Sequence, residues 1–412
     1  MKLKPGWRHV KLSDIAKIKS GSTPLRAEGE RYFSTAGTPW VKTLDLNNGE
    51  IISTDEKITD TALLETSCSV FPVGTVLVAM YGGFNQIGRT GLLTIPAAIN
   101  QALSGLILDR DKAEPAYILN YLNGNVKLWK KFAASSRKDP NITRDDVCGF
   151  PVLLPPLAEQ KKIAKILSTW DNAISVTEKL LANSQQQKKA LMQQLLTGKK
   201  RLLDENGVRF SGEWKRVKLG AIADMNSGGT PKSTVEEYYG GNIPWVSISD
   251  MTSNGKWIAT TEKYLTELGL NSSSARIYPK NSVLYAMYAS IGECSIAAVN
   301  LTSSQAILGI RPKDCLNYEF LYFYLTSLKE KIKLQGQQGT QSNLNAGMVK
   351  EFELDLPSIR EQQKIAAVLS AADAEISTLE KKLACLRDEK KALMQQLLTG
   401  KRRVKVDEAV AE

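Results

Sequence analysis

Side chains that can contact nucleic acid are concentrated in a few loops of this sequence. Arg and Lys can pair with phosphates or guanine, Asn and Gln with adenine, and Ser or Thr with either. Examples are "KSGSTPLR" at 19–26 and "NSGGTPKS" at 226–233. Polar loops can also be merely solvated, so both interpretations stay open. The candidate contact residues are Ser22, Thr23, Lys42, Tyr81, Asn85, Arg89, Arg137, Lys138, Asn141, Thr230, Lys232, Ser247, Tyr288, Ser290, Gln338, Thr340, Gln341 and Asn343.

Residues that could carry out a reaction are scarce. The single histidine, His9, lies opposite Arg216 in the internal repeat described below, which favours a surface or structural role. The five cysteines form no C-x-x-C pair, so a zinc site is not expected. Asp45 and Asp250 recur between the halves without a metal-ligand cluster, which favours a structural or base-contacting role. The "TGK" near 199 lacks the upstream glycine of a phosphate-binding loop. We therefore predict no catalytic residue, metal or cofactor.

The charge of the chain favours a polyanionic partner, nucleic acid first and an anionic membrane second. The sequence has 412 residues and a formal net charge of +11. Residues 155–201 carry +6 and residues 357–403 carry +4, so the rest is close to neutral. No apolar run is long enough for a membrane span, and the N-terminus does not resemble a signal peptide. With isolated cysteines, these features predict a reduced cytoplasmic location.

The sequence is built from two similar halves. The segment "KKALMQQLLTGK" occurs at 188–199 and again at 390–401, and residues 154–199 align without a gap on 356–401 with 28 of 46 identical. Matching anchors precede these segments, such as "NQALSGL" and "SQAILGI". The loops between the anchors differ in length and sequence. The halves therefore share one scaffold and carry different loops.

The repeated tails have the 4-3-4-3 apolar spacing of a heptad seam, which predicts two helices of about 40 residues. Ser358 with Glu361 matches a capping box, and Gly198 and Gly400 suit helix ends. An apolar seam must be buried, and the other copy is its nearest partner, so antiparallel packing with pseudo-twofold symmetry is favoured. The predicted interface positions are Ile163, Leu167, Trp170, Ile174, Leu181, Leu191, Leu195, Ile365, Leu369, Ile376, Leu383, Leu393 and Leu397.

The regions before each tail contain short β-rich runs broken by Gly, Asn and Ser, which predicts an α+β fold. Examples are "SVFPVGTVLVAMY" and "RIYPKNSVLYAMY". The predicted boundaries are a globular domain at 1–153, a central helix at 154–200, a linker at 201–212, a second globular domain at 213–355, a distal helix at 356–401, and a basic then acidic tail at 402–412.

This arrangement resembles the specificity subunit of type I restriction–modification enzymes. The resemblance rests on the paired segments "LPPLAEQKKIAKIL" at 154–167 and "LPSIREQQKIAAVL" at 356–369, on the helices ending "QQLLTGK", and on the "SGSTP" and "SGGTP" openings. It implies two target-recognition domains that read the halves of a bipartite, asymmetric site in double-stranded DNA, separated by two helices packed as a coiled coil. It also implies that two modification subunits methylate adenine, and that restriction subunits join through them and cleave.

Two other functions stay open at the level of the sequence. A stand-alone adenine methyltransferase would need an N/D-P-P-F/Y motif and a glycine-rich cofactor loop, and "DPN" at 139–141 is not that motif. A coiled-coil adaptor without DNA readout would agree with the concentration of charge on the helices. A non-catalytic DNA-recognition subunit agrees better with the divergent loops on a repeated frame.

Overall fold

The chain folds into mixed helices and sheets that repeat along its length, as predicted. The computed structural model describes residues 4–134, 141–337 and 344–406. Two units can be distinguished: unit 1 consists of Met1–Glu178 with Lys381–Glu412, and unit 2 consists of Lys179–Glu380. Each long helix therefore contributes part of its length to each unit.

The strands of unit 1 form three sheets. The largest has the strand order Ala16–Ser20, Leu103–Leu108, Val76–Ala79, Thr90–Leu93 and Glu50–Ile51, with only the last pair parallel. A second has the order Phe33–Ser34, Glu56–Ile58, Thr38–Val41 and Ala98–Ile99, again ending in a parallel pair. The third is the antiparallel pair Arg8–Lys11 and Pro151–Leu154.

The apolar run Val76–Ala79 is the centre of the large sheet and is buried throughout. Its alternate side chains point to opposite faces. Val76 and Val78 join one hydrophobic cluster, and Leu77 and Ala79 join another. The α-helices of the domain are Leu12–Ile15, Asp60–Glu65, Pro115–Gly124, Val126–Ala134 and Arg144–Gly149, and the 3-10 helices are Arg26–Arg31 and Thr43–Asp45.

Unit 2 repeats this architecture. Its five-stranded sheet has the order Ala223–Ser227, Ile307–Pro312, Val283–Ala286, Cys294–Ala297 and Trp257–Ile258. The other sheets are Lys263–Leu265 with Tyr239–Val246 and Thr302–Ser303, and the pair Lys215–Lys218 with Glu353–Leu356. Its helices are Leu219–Ile222, Glu236–Tyr238 (3-10), Ile248–Asn254, Glu267–Asn271, Tyr318–Gln337 and Ala346–Lys350.

The repeated tails form the two long helices of the chain. The first long helix is Leu157–Leu195 and the second is Ile359–Leu397, each 39 residues and so about 58 Å long. Gly198 and Gly400 follow these helices with φ of 69° and 66°, a left-handed conformation that favours glycine. The predicted helices and their glycine stops are confirmed.

Within each unit the two long helices run antiparallel. In unit 1, Asp171 pairs with Lys390, and Glu178 pairs with Arg387 at 2.6 Å. In unit 2, Lys188 pairs with Asp373, and Ser184 donates to Glu375 at 3.0 Å. As the residue number increases along the first long helix, the number of its partner on the second decreases. This confirms the antiparallel prediction.

The apolar seam has two kinds of surroundings. Near the helix ends its side chains enter the cores of the globular regions: Ile163, Leu167 and Leu397 belong to the main cluster of unit 1, and Leu195, Ile365 and Leu369 to that of unit 2, with Leu393 and Leu191 packed against them. Among the middle positions, Leu383 is buried, whereas Trp170, Ile174, Leu181 and Ile376 are half-buried. The ends of the long helices are thus part of each domain core.

The Glu-Gln pair at the start of each long helix fastens that helix to other segments. Glu361 is 1% exposed and accepts bonds from Arg201 Nε at 2.6 Å and Trp214 Nε1 at 3.2 Å. Glu159 is likewise buried and accepts from Arg403 and, at 3.2 Å, from Trp7 Nε1. We call each group an Arg-Glu-Trp clasp.

The clasp corrects the predicted capping box. Ser358 Oγ accepts a bond from Glu361 N at 3.3 Å, as a capping residue does. The Glu361 carboxylate does not return this bond, because it is engaged by Arg201 and Trp214. The next residue, Gln362, accepts from Asn317 N at 2.8 Å, and Gln160 accepts from Glu114 N at 2.9 Å. The pair therefore connects each long helix to the start of a helix in its globular region, Pro115–Gly124 in unit 1 and Tyr318–Gln337 in unit 2, which we call the domain helices.

Candidate nucleic-acid interface

In unit 1, four loops are brought together by the ends of neighbouring strands. Short backbone hydrogen bonds connect the loop after Ala16–Ser20 with those around 41–43, 80–81 and 99–102. These bonds are Ser22 N to Ile99 O (2.9 Å), Asn100 N to Val41 O (2.9 Å), Met80 N to Ala102 O (2.8 Å) and Ile142 N to Met80 O (3.0 Å). Most of the described candidate contact residues of this half lie in these loops.

Unit 2 assembles the equivalent loops with the same pattern of backbone bonds. The bonds are Gly229 N to Ser303 O (2.9 Å), Ser304 N to Val246 O (2.9 Å), Met287 N to Ala306 O (2.9 Å) and Leu344 N to Met287 O (3.1 Å). Thr230, Ser247 and Tyr288 are adjacent to these positions in the chain. We call the two sets of loops the loop clusters of unit 1 and unit 2.

The threonines of the "STP" and "GTP" openings are held by glutamines that sequence reasoning overlooked. Thr23 Oγ1 donates to Gln101 Oε1, and Thr230 Oγ1 donates to Gln305 Oε1. Both glutamines lie in the repeated anchors "NQALSGL" and "SQAILGI", so the repeat itself carried the signal. Both glutamines are exposed.

A buried tryptophan fixes each of these openings from the other side. Trp40 Nε1 donates to Ser22 O at 3.1 Å, and Trp245 Nε1 donates to Gly229 O at 2.9 Å. The Ser22 hydroxyl lies 2.8 Å from that of Ser67. The openings are therefore held in place by their own domain before any partner binds.

Lys42 belongs to a small charged cluster. Its Nζ donates to Glu56 at 2.8 Å, and Arg26 pairs with the same carboxylate at 2.6 Å. Arg26 and Lys42 together lower the pKa of Glu56. The Arg26 guanidinium also lies 4.4 Å from the ring centre of Phe33. Arg26 lies in the loop at 19–26 but is not one of the predicted contact residues. It adds a second cation, beside Lys42, to the unit 1 loop cluster.

The loop at 81–89 exposes an aromatic and polar surface. Tyr81, Phe84 and Asn85 are exposed, and Gly82 and Gly83 adopt φ of 109° and 78°. Such angles turn the chain sharply without strain in glycine. Arg89 is half-buried and donates from Nη1 to Gln86 Oε1 at 2.7 Å. Tyr81 and Asn85 are thus presented outward, while Arg89 braces the loop.

The candidates of unit 2 divide into capping and exposed residues. Ser247 caps the helix Ile248–Asn254, accepting from Asp250 N at 3.3 Å, so its hydroxyl already has a structural role. Thr230, Lys232 and Tyr288 are exposed, and Ser290 is half-buried in the next turn.

Half-buried Asn141 borders the unit 1 cluster. Outside the described residues lie Arg137, Lys138, Gln338, Thr340, Gln341 and Asn343.

A basic groove of about 910 Å³ opens beside the end of the second long helix in unit 1. Its apolar floor includes Met394 and Leu398. Among the described residues, its lining includes five cations and no carboxylate: Lys127, Lys131, Arg387, Lys390 and Lys391. A ligand here would have to offer both negative charge and apolar surface.

The described residues contain no group of three His, Cys, Asp or Glu side chains able to hold a metal ion. His9 is exposed on the strand Arg8–Lys11, and none of the five cysteines is in a disulfide. Within 4–134, 141–337 and 344–406, no helix is both long and apolar enough to span a bilayer.

A family model for the type I restriction modification DNA specificity domain matches the chain twice, over residues 4–183 and 211–386. The chain belongs to this family. As a specificity-family protein it is a DNA-recognition subunit of a type I restriction–modification enzyme, without a catalytic centre of its own. Its partners are accordingly DNA and the methyltransferase and restriction subunits.

Known specificity subunits align with a part of the chain or with nearly all of it. The type I restriction enzyme MjaIX specificity subunit of Methanocaldococcus jannaschii is 36% identical over 172 residues, which are 41% of this chain and 40% of that protein. The MjaVIII specificity subunit of the same organism is 27% identical over 425 aligned residues, covering 97% and 93%. The crystal structure of the S subunit from M. genitalium superposes with a TM-score of 0.61 at 16% identity, covering 96% and 98%, and so shares the fold.

Proposed function

We propose that the two loop clusters read the two halves of a bipartite, asymmetric DNA site. The observation that carries this proposal is the equivalent assembly of the loops by the same backbone bonds in both units. On that common frame some side chains recur, such as Tyr81 with Tyr288 and Thr23 with Thr230. Other exposed side chains differ: Phe84 and Asn85 in unit 1, and Lys232 in unit 2. Different side chains on equivalent frames read different bases, which makes the site asymmetric.

The residues of each cluster have different tasks in this proposal. Exposed Asn85 is suited to a base edge, since an amide can both donate to and accept from adenine. Lys232 is suited to a phosphate, which adds affinity without sequence information. Thr23 and Thr230 act with Gln101 and Gln305 as hydrogen-bonded pairs, and both glutamines are exposed.

We also propose that the long helices recruit two modification subunits, one for each unit, and that restriction subunits join through them. The duplication supports this stoichiometry, because the Asp171–Lys390 pair of unit 1 recurs as Asp373–Lys188 in unit 2. The basic groove of unit 1 offers an additional contact for a segment with acidic and apolar side chains. Assembly in a reduced cytoplasm agrees with the five unpaired cysteines.

Replacing one recognition region tests the proposal. When residues 1–150 are exchanged for the matching region of a relative, the methylated adenines of the host genome should map to a site with one altered half and one unchanged half. Exchange of residues 207–353 is the matched control and should alter the other half only. If both halves changed in each exchange, the assignment of one half-site to each unit would be wrong.

The same experiment separates the two other functions. An unchanged site after both exchanges would favour an adaptor without DNA readout. Methylation of DNA by the purified chain alone, with S-adenosylmethionine added, would favour a stand-alone methyltransferase. The proposal predicts no methylation until modification subunits are supplied.

A further inference from the structure

Lys256 connects the recognition region of unit 2 to the second long helix. It follows Gly255, whose φ of 70° makes the turn between the helix Ile248–Asn254 and the strand Trp257–Ile258. The Lys256 side chain is only 14% exposed. Its Nζ donates to Glu319 at 2.9 Å and to Ser370 Oγ at 2.8 Å. One ammonium group thus bridges a turn of the domain, the domain helix and the long helix.

Aromatic rings and a second lysine complete this network. The Lys256 ammonium lies 4.6 Å from the ring centre of Phe323, and Lys188 lies 5.7 Å from the same ring. Lys188 pairs with Asp373, which is also 4.0 Å from Lys256. Two cations therefore face two carboxylates, Glu319 and Asp373. Loss of Lys256 would remove one of the two positive charges beside Glu319 and Asp373. Because these carboxylates are largely buried, that loss would be unfavourable.

The path from this network to the loop cluster is short. Ile296 N donates to Lys256 O at 2.6 Å, and Ser295 Oγ donates to Gly255 O at 2.6 Å, which fix the turn on the central sheet. The helix that ends before Gly255 begins after Ser247, a residue of the loop cluster. Seven helical residues, about 10 Å, separate the cluster from the turn. Because this short helix joins the two, a displacement of the turn at Gly255 and Lys256 would also displace the unit 2 loop cluster.

In the part of unit 1 that the structure describes, the matching turn has no equivalent link to a long helix. The matching position is Gly49, because Leu92 N donates to Gly49 O at 2.9 Å as Ile296 N does to Lys256 O. The neighbouring Asn48 O accepts from Asn123 Nδ2 at 2.8 Å, and Asn123 Oδ1 accepts from Thr90 Oγ1 at 2.6 Å. These neutral bonds connect the turn to a domain helix only. The link through Lys256 belongs to unit 2.

We propose that Lys256 is a positioning residue that holds the unit 2 loop cluster against the long helices and thereby sets base discrimination in one half-site. This inference rests on the proposed reading of one half-site by each unit. Base readout requires side chains to be held within about 0.5 Å of their productive placement. A cluster whose support is loosened still contacts phosphates but distinguishes bases less well.

The test is Lys256→Met, which keeps much of the side-chain length and removes the charge. The variant is assembled with its modification subunits, and competition binding is measured with duplexes that carry single-base changes in either half-site. Discrimination should fall about tenfold at the half-site read by unit 2, the loss of roughly one good base contact. It should stay unchanged at the other half-site. Lys256→Arg keeps the positive charge and should retain most of the discrimination at the unit 2 half-site.

Two further variants separate positioning from general stability. Exposed Lys263 in the strand Lys263–Leu265 provides the control Lys263→Met, which should change neither half-site. Should Lys256→Met fail to fold, Ser370→Ala removes one partner without exposing a charge and should give a smaller loss at the same half-site.

The possible outcomes each decide a different point. An equal loss at both half-sites, or no loss at either in a complex with native thermal stability, would overturn the positioning role. If the wild-type complex showed no division into two half-sites in this assay, the proposed function itself would fail. A loss confined to the unit 2 half-site would support both.

Discussion

The two units of this specificity-family protein agree in their helix contacts and differ where the recognition regions meet the helices. The Arg-Glu-Trp clasp occurs in both, with Glu361 in unit 2 and Glu159 in unit 1. The Asp–Lys pair between the long helices is also repeated. Among the described residues, the link from the turn to the long helix, through Lys256, is seen in unit 2 and not in unit 1. The two halves have kept the same contacts of the long helices and differ in the contacts that support each loop cluster.

The domain helices show the same divergence. In unit 2, Tyr318–Gln337 is one continuous helix, whereas in unit 1 the equivalent segment breaks at Asn125 between two shorter helices. At the break, a Cβ on Gly124 would lie 3.2 Å from Leu398 Cδ1 of the second long helix. Glycine therefore permits the close approach at the edge of the basic groove.

The largest predicted effect comes from breaking the clasps. Glu361→Ala leaves the Arg201 side chain, 21% exposed, without its carboxylate, and should destabilise unit 2 by about 3 kcal/mol. Glu159→Ala should cost less, about 1–2 kcal/mol, because Arg403 is 39% exposed and water can replace part of its bond. Hydrogen exchange followed by mass spectrometry at the start of each long helix would measure both local opening free energies.

Controls for the clasps come from the paired tryptophans. Trp214→Phe and Trp7→Phe each remove one hydrogen bond to the buried carboxylate and should cost about 1 kcal/mol. Equal protection of both helix starts in Glu361→Ala and wild-type protein would show that the clasp does not hold the helix.

Seam positions should give the next largest effect, and the two candidates should differ. Leu383 is 7% exposed, so Leu383→Asp should destabilise the helix pair by roughly 3 kcal/mol and reduce recovery of the modification subunits in co-purification. Leu181 is half-buried, and Leu181→Asp should cost about 1 kcal/mol. Exposed Leu180 supplies the control Leu180→Asp. A complex that assembled equally well with Leu383→Asp would contradict the role of the seam.

Local sequence pattern predicted the helices well and predicted side-chain partners poorly. Heptad spacing and the glycines at 198 and 400 depend on near neighbours, so the long helices and their ends could be foreseen. Glu361 was interpreted as half of a capping box because Ser358 is three residues away. Its actual partner, Arg201, is 160 residues distant and follows the other helix. No local pattern carries that information.

The candidate contact residues show the same limit. Polar composition correctly drew attention to loops that the fold brings together, as the bonds around Met80 and Met287 demonstrate. It could not tell which side chains are already engaged, because that depends on residues from other strands. Ser247 caps a helix, and Thr23 donates to Gln101. The sequence did not predict the strand order either, since one sheet combines antiparallel pairs with a parallel pair between strands that are distant in the chain.

The smallest predicted effect distinguishes an engaged lysine from an exposed one. Lys232 is exposed in unit 2, and we expect it to contact a phosphate, so Lys232→Ala should reduce the magnitude of the negative slope of log K against log salt by about 0.9. Lys42 in unit 1 must first leave Glu56, its partner at 2.8 Å, so Lys42→Ala should reduce that magnitude by less than half as much. Glu56→Gln frees Lys42 and Arg26 and should make the slope steeper than that of the wild type. Titrations of the assembled complex at several salt concentrations measure all three. Equal slopes for Lys42→Ala and Lys232→Ala would mean that the pairing with Glu56 does not persist when DNA binds, and the difference between the units would then lie in their loops alone.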